Sequence, residues 1–226
     1  MSNITVSPEE IRKVLTKAEE ELKQCQAEGL YFEVNDAAET IARCYRLLED
    51  TQQAQRYFTM AAWASLVALD IDLRQGETDS EAQWGYLFEA LWLYYQAGNQ
   101  QKAQELVRRL DSLLDRWPEP IPLLQRMQAS LIHYVTGDVD KARVIYQRFR
   151  LNRYEGSPYH PEVKLLKAGL YDDQRAACKA IEAARQEIAA NEIQPWYANN
   201  LEYDLISIAE ALLGEVKGLA SPGDDN

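Results

Sequence analysis

One carboxylate in this sequence stands where a charged group is costly to bury. Glu89 falls within the stretch 84–97, WGYLFEALWLYYQA, in which only Glu89 and Gln96 are strongly polar. A carboxylate among apolar side chains needs either a hydrogen-bonding partner or a proton of its own. Two interpretations follow: a structural bond to a tyrosine or an arginine, or an acid or base in catalysis.

The other groups that could do chemistry lack partners at catalytic or metal-ligand spacing. His133 falls inside a helical pattern, which predicts a packed core side chain, and His160 falls in a loop. The carboxylate pairs Asp70/Asp72 and Asp172/Asp173 stand at predicted helix boundaries, where aspartate commonly caps a helix. With no phosphate-binding glycine loop, nucleophile elbow or metal-binding helix motif, we predict neither an enzyme nor a bound cofactor or metal.

The composition is that of an acidic chain with ample apolar residues. The 226 residues carry a formal net charge of −12, and 46% of them are hydrophobic. This argues against a nucleic-acid partner, because nucleic acids are bound through positive surfaces that displace counterions. The three cysteines, Cys25, Cys44 and Cys178, are too widely spaced for a disulfide framework or a zinc knuckle, so we expect a cytoplasmic protein.

No segment predicts secretion or a membrane partner. The start, MSNITVSPEE, has no basic region followed by an apolar run, as a secretory signal would have. The stretch 84–97 is too short and too aromatic to cross a bilayer, which takes roughly 20 apolar residues.

The element that positions Glu89 is predicted to be a buried helix. Ser80 and Gln83 suggest a capping box before it, and Gly98 follows where helices commonly end in a left-handed turn. No segment alternates long enough with the two-residue period of a strand. We therefore predict an all-α fold of about ten helices in a single domain over residues 1–213, followed by a flexible acidic tail over 214–226. The predicted helices cover about 8–28, 30–48, 52–69, 84–97, 100–116, 121–136, 139–150, 161–170, 174–190 and 195–213.

Three of the predicted helix pairs share one spacing of small and bulky residues. Counted from Tyr45, Tyr94 and His133, a turn follows after four residues, an alanine after nine and a bulky residue after thirteen. Small residues let two antiparallel helices approach closely, and the larger ones fill the next layer. The alanines are Ala54, Ala103 and Ala142, and the bulky residues are Phe58, Val107 and Tyr146.

This spacing resembles the tetratricopeptide repeat (TPR), an α-helical repeat family, over roughly residues 35–190. The residues that carry the resemblance are Ala38, Ala42, Tyr45, Ala54, Phe58, Ala61, Leu91, Tyr94, Gly98, Ala103, Gly137, Ala142, Tyr146 and Phe149. The resemblance implies a TPR-like stack of antiparallel helix hairpins, with the first and last helices flanking it. An irregular helical bundle that uses the same small-residue packing is the alternative.

In a TPR-like stack the first helix of each pair lines the concave face. The resemblance therefore implies a groove with charges at one end and apolar, largely aromatic side chains along the rest. The implied partner-binding residues are Arg43, Arg46, Phe88, Trp92, Tyr95, Met127, Leu131 and Tyr134. Alternatively, the C-terminal helix fills the groove, or a second subunit does so in a homodimer, since a monomer rarely exposes so large an apolar surface.

These patterns lead to three hypotheses about function. The first is a protein-interaction module, a TPR-like scaffold, adaptor or chaperone that binds a peptide or protein partner. The second is a bacterial toxin-immunity protein, whose acidity would let it cover and neutralise a basic toxin. The third is an enzyme on a helical scaffold, with Glu89 or the aspartate pairs as acid or base.

Overall fold

The computed structural model describes residues 7–76, 79–118 and 120–151, together with seven residues between 166 and 179. Throughout these residues the fold is all-α, as predicted, and no strand occurs among them. The helices delimited there are α1 (Pro8–Glu28), α2 (Tyr31–Leu47), α3 (Thr51–Gln75), α4 (Ser80–Gln96), α5 (Gln100–Asp115), α6 (Leu123–Val135) and α7 (Val139–Arg148).

Other predictions fall outside the described part of the chain. The helices predicted over 161–170 and 174–190 lie largely outside it. The helix predicted over 195–213, the acidic tail over 214–226, the pair Asp172/Asp173 and His160 lie wholly outside it.

The chain divides into two compact units, residues 1–117 and 118–226. In the first unit each helix packs on the next one along the chain, from α1 to α5. In the second unit α6 packs on α7. The single domain over residues 1–213 stays a prediction.

Several predicted helix ends are confirmed. Ser7 caps α1 in a capping box with Glu10, and Gly29 ends the helix in the left-handed conformation with φ 73°. Asn99 caps α5 by accepting a hydrogen bond from the backbone N–H of Lys102 at 3.2 Å. Such caps satisfy backbone donors that have no partner within the helix.

The predicted boundary between the third helix and the loop after it was wrong. The helix α3 continues six residues beyond Leu69 to Gln75, where Gly76 caps it with φ 73°. The prediction that Asp70 and Asp72 cap a helix was also wrong, because both lie inside α3. Asp70 forms an ion pair with Arg74 one turn later, and Asp72 accepts a hydrogen bond from the Tyr86 hydroxyl at 2.7 Å.

The cap of α4 also differs from the prediction. Asp79 is the N-cap, and its side chain accepts a hydrogen bond from the backbone N–H of Ala82 at 2.8 Å. Ser80 is instead the first helical residue. An aspartate at this position also places negative charge at the positive end of the helix dipole.

The turns of the three predicted helix pairs have the same hydrogen-bonding pattern. The backbone N–H of Asp50, Asn99 and Asp138 donates to the carbonyl of the residue five positions earlier, at 2.9, 2.9 and 2.8 Å. Those acceptors are Tyr45, Tyr94 and His133, the residues from which the sequence repeat is counted. The same aspartate or asparagine then caps the following helix with its side chain.

A left-handed residue precedes each of these caps. Gly98 has φ 73° and Gly137 has φ 94°, whereas the corresponding residue in the first turn is Glu49 with φ 61°. The three turns therefore share one backbone conformation, and in the first turn a glutamate stands where glycine is favoured.

The alanines that share the repeat spacing, Ala54, Ala103 and Ala142, are all buried, and so are Phe58 and Tyr146. In the second unit the Ser130 hydroxyl donates to the carbonyl of Ala142 at 2.8 Å and so joins α6 to α7.

Two cysteines are part of the core of the first unit. Cys25 on α1 and Cys44 on α2 are buried and free. Burial is the main cause that raises the pKa of both thiols, that of Cys44 to about 11.

Among the described residues, no helix combines the length and apolar character needed to cross a membrane.

Candidate protein-interaction surfaces

The three aromatic residues of α4 predicted to bind a partner differ in burial. Trp92 is only 7% exposed, and its ring stacks on that of Tyr95 with the centroids 5.6 Å apart and an angle of 22° between the planes. Phe88, one turn before Trp92, is half-buried, as is Tyr95. We call these three residues the α4 aromatic face. Its accessible part consists of Phe88 and Tyr95, and Trp92 anchors the face to the core.

Glu89 follows Phe88 and is half-buried. The hydroxyl of Ser65 on α3 donates to its carboxylate at 2.8 Å, and the Ser65 hydroxyl oxygen also lies 3.1 Å from the backbone carbonyl oxygen of Tyr86. Glu89 thus has a structural bond to a serine, a partner that the sequence did not indicate. This bond joins α3 to α4 next to the α4 aromatic face.

The two arginines predicted to bind a partner at the charged end lie on α2. Arg43 is buried and forms an ion pair with Glu39 one turn earlier on the same helix. The guanidinium of Arg46 lies over the ring of Phe58 on α3, 4.6 Å from its centroid, in a cation–π contact. Both side chains therefore interact within the first unit, and Arg46 is the more accessible of the two.

In the second unit, the predicted partner-binding residues lie on α6. Met127 and Leu131, one turn apart, are buried, whereas Tyr134 is half-buried. His133 is also buried, as the prediction of a core histidine requires. Tyr134 is therefore the accessible member of this set.

The most exposed large rings of the first unit were not among the residues predicted from the sequence to bind a partner. Phe32 on α2 is 53% exposed and Trp63 on α3 is 48% exposed. The ring of Trp63 meets that of Tyr31 edge to face, with the centroids 5.6 Å apart. A signal was present for Phe32, because the N-cap of α2 and its first two residues, Leu30-Tyr31-Phe32, are all apolar, and one side of a helix cannot bury all three.

A shallow, open depression lined mainly by polar residues lies elsewhere in the first unit. It has a volume of about 760 Å³ and lies between the start of α3 and the α4–α5 turn. Its lining residues are Gln52, Gln55, Arg56, Thr59, Ala97, Gly98, Asn99, Gln100 and Gln101. Across the described ranges, no group of three or more His, Cys, Asp or Glu side chains is arranged to hold a metal ion.

Comparisons with known proteins give no family for this chain. No family model, no curated protein and no solved structure matches it.

Proposed function

We propose that this chain is a protein-interaction module, a TPR-like helical scaffold that binds a segment of another protein. In this scaffold the helix hairpins stack, and the first helix of each hairpin presents the side chains that bind the partner. The equivalent turns at Asp50, Asn99 and Asp138 support this arrangement, since they give each hairpin the same connection.

The observation that carries the proposal is the α4 aromatic face. Trp92 is fixed in the core and stacks on Tyr95, so part of the face is held rigid before any partner arrives. Rigid aromatic side chains are favoured at binding hot spots, because they bury much apolar area and lose little conformational freedom. The half-buried rings of Phe88 and Tyr95 supply the accessible area.

A comparative capture experiment tests the proposal. Wild-type chain and the variants Phe88→Ala and Tyr95→Ala would be used to capture proteins from cells of the native host. Val144→Ala, which removes an exposed apolar side chain from α7, is the matched control. We expect one partner to be captured by the wild type and the control and to be lost with both ring variants, with each ring contributing about tenfold or more in affinity. Equal capture by all four proteins would contradict the proposal.

A toxin-immunity protein is the second candidate, and the net charge of −12 favours it. An acidic protein associates faster with a basic partner, and salt weakens this effect. If the captured partner is a basic toxin, cells that express it should survive only when the chain is also expressed. A partner that is harmless when expressed alone would exclude this candidate and leave the interaction module in place.

A further inference from the structure

A second apolar surface lies where three helices of the first unit meet. Trp63 on α3 is in edge-to-face contact with Tyr31 at the start of α2. Met60, one turn before Trp63, accepts a hydrogen bond at its sulfur from the Gln26 side chain near the end of α1, at 3.6 Å. Trp63 and Met60 therefore lie on one face of α3, beside the end of α1 and the start of α2. Phe32 follows Tyr31 in the chain and is exposed, and we call Tyr31, Phe32, Met60 and Trp63 the corner patch.

Two rings of the corner patch are exposed, and one of these, Trp63, contacts a third ring. Trp63 and Phe32 each expose about half of their surface, at 48% and 53%. Edge-to-face contact with the Tyr31 ring restricts the orientations that are open to the Trp63 ring. An exposed tryptophan restricted by a neighbouring ring has the properties of a binding anchor, since less side-chain entropy is lost on binding.

The charges beside the corner patch are mainly negative. From Glu19 to Asp36 the sequence contains six acidic residues and one basic residue, Lys23. Glu21, Glu28 and Glu33 all act on the Cys25 thiol, where they add to the effect of burial in raising its pKa. Their carboxylates therefore lie around the end of α1 and the start of α2. On α3 no charged residue occurs between Arg56 and Asp70, so α3 brings no opposing charge close to Trp63.

We propose that the corner patch binds a basic amphipathic segment of a partner protein. Apolar side chains of the segment would cover Phe32 and Trp63, while its lysines or arginines pair with Glu28 and Glu33 or lie over the Trp63 ring. A second copy of this chain fits less well, because it would bring the same carboxylates together and they would repel each other. The inference rests on the proposed function as a protein-interaction module, but it concerns a surface other than the α4 aromatic face.

A synthetic peptide tests the proposal. The probe is an amphipathic helical peptide of leucine and lysine, and its control has every lysine replaced by glutamate. The dissociation constant would be measured by fluorescence anisotropy at low and at high salt. We expect the lysine peptide to bind, the glutamate peptide not to bind, and Trp63→Ala to weaken binding about tenfold or more. Val144→Ala, which removes an exposed side chain on α7, should change the dissociation constant of the lysine peptide less than twofold.

Charge variants distinguish attraction by Glu28 and Glu33 from attraction by the net negative charge of the chain. The double variant Glu28→Gln/Glu33→Gln should weaken binding severalfold at low salt and less at high salt. The double variant Glu81→Gln/Glu105→Gln removes the same charge from exposed positions on α4 and α5 and should have little effect. If both double variants weaken binding equally, the peptide is attracted only by net charge and the proposal is wrong.

The same proteins show where the peptide binds, whether the variants fold and whether the chain forms a dimer. A carbodiimide should cross-link a peptide lysine to Glu28 or Glu33, and cross-links confined to other carboxylates would contradict the proposal. Thermal melting of Trp63→Ala and of Trp63→Phe, which retains a ring, distinguishes lost binding from lost folding. If sedimentation shows a dimer that Trp63→Ala makes monomeric, a second copy occupies the corner patch. A negative result here leaves the capture test of Phe88 and Tyr95 unaffected, because that test changes another helix.

Discussion

The hydroxyl of Ser65 on α3 lies 2.8 Å from a carboxylate oxygen of Glu89 on α4. Ser65 is almost completely buried, whereas Glu89 keeps part of its surface accessible. The bond therefore connects the interior of the first unit with the helix that carries Phe88, Trp92 and Tyr95. It accounts for a carboxylate on a strongly apolar helix without requiring catalysis.

Replacing Ser65 by alanine should destabilise the first unit. A hydrogen bond to a charged group is worth about 1.5–3 kcal/mol, and its loss leaves a partly buried carboxylate with one donor fewer. Glu89→Gln retains an oxygen acceptor, so we expect it to cost less than Ser65→Ala. Urea unfolding followed by circular dichroism measures both. The structural role is wrong if Glu89→Gln leaves stability unchanged yet removes an identified activity of the protein.

Replacing Trp92 by alanine should cost much more stability than replacing Trp63. Removal of a buried tryptophan side chain costs about 3–5 kcal/mol, because the transfer free energy is lost and a cavity remains. Trp63→Ala removes the same atoms from a half-exposed position and should cost far less. The free energies of unfolding of the two variants, from urea titrations, provide the comparison. Similar costs would show that Trp92 does not anchor the α4 aromatic face.

Two substitutions at the hairpin turns should change the free energy of unfolding in opposite directions. Gly98→Ala puts a side chain at φ 73° and should cost about 1–2 kcal/mol, whereas Glu49→Gly relieves a left-handed residue at φ 61° and should stabilise by up to about 1 kcal/mol. Gly85 provides a control, because it lies within α4 and a β-carbon added there would meet nothing within 4 Å. Gly85→Ala should therefore stabilise by about 0.5–1 kcal/mol. Thermal melting curves of the three variants test these signs.

The N-cap of α4 can be tested with two adjacent residues. Asp79→Ala removes the acceptor for the Ala82 N–H and should cost about 1 kcal/mol. Ser80→Ala changes the first helical residue and should stay within about 0.5 kcal/mol of the wild type. Chemical denaturation distinguishes them, and a larger cost for Ser80→Ala would favour the capping box predicted from the sequence.

The stability of the first unit should decrease at alkaline pH through Tyr86. Burial, followed by the hydrogen bond to Asp72, raises the pKa of Tyr86 to about 12, compared with about 10 for an unfolded tyrosine. The folded state thus favours the protonated hydroxyl. Its contribution is fully present below about pH 10 and is lost as the pH rises through about 12.

Two variants check the alkaline prediction for Tyr86. Tyr86→Phe should reduce the slope of unfolding free energy against pH in this range. Asp72→Asn should lower the pKa of Tyr86 only in part, because burial is the larger cause. Tyrosine-specific carbon NMR would follow the ionisation directly, and an unshifted Tyr86 resonance would contradict the assignment.

The fold class and most of the helices in the first unit were predictable from local signals. The capping box at Ser7, the cap at Asn99 and the left-handed Gly98 depend on residues a few positions apart, which a sequence displays directly. At the end of α3 a local signal was present in Gly76, but the polar residues after Leu69 predicted a loop before it. Asp72 has its partner on the next helix, Tyr86, and a bond between residues 14 positions apart leaves no local pattern.

The candidate surfaces were predictable only in part. The positions of Phe88, Trp92 and Tyr95 on one side of α4 follow from helical spacing, but which ring is covered depends on neighbouring helices. The same limit applies to Trp63, which stands among small residues that are almost all buried. A helical pattern identifies Ala61, Ala62 and Ala64 as contact positions, yet only the packed structure shows that the tryptophan between them faces outward.

The burial of Cys25 and Cys44 gives the first unit two internal reporters of local opening. A thiol reacts as the thiolate, so a buried thiol with a raised pKa reacts with an alkylating reagent mainly after the surrounding helices separate. The alkylation rates at the two cysteines then measure the free energies of opening around α1 and around α2. Because Cys25 lies beside the corner patch and Cys44 does not, a partner bound at that patch would protect the two thiols to different extents.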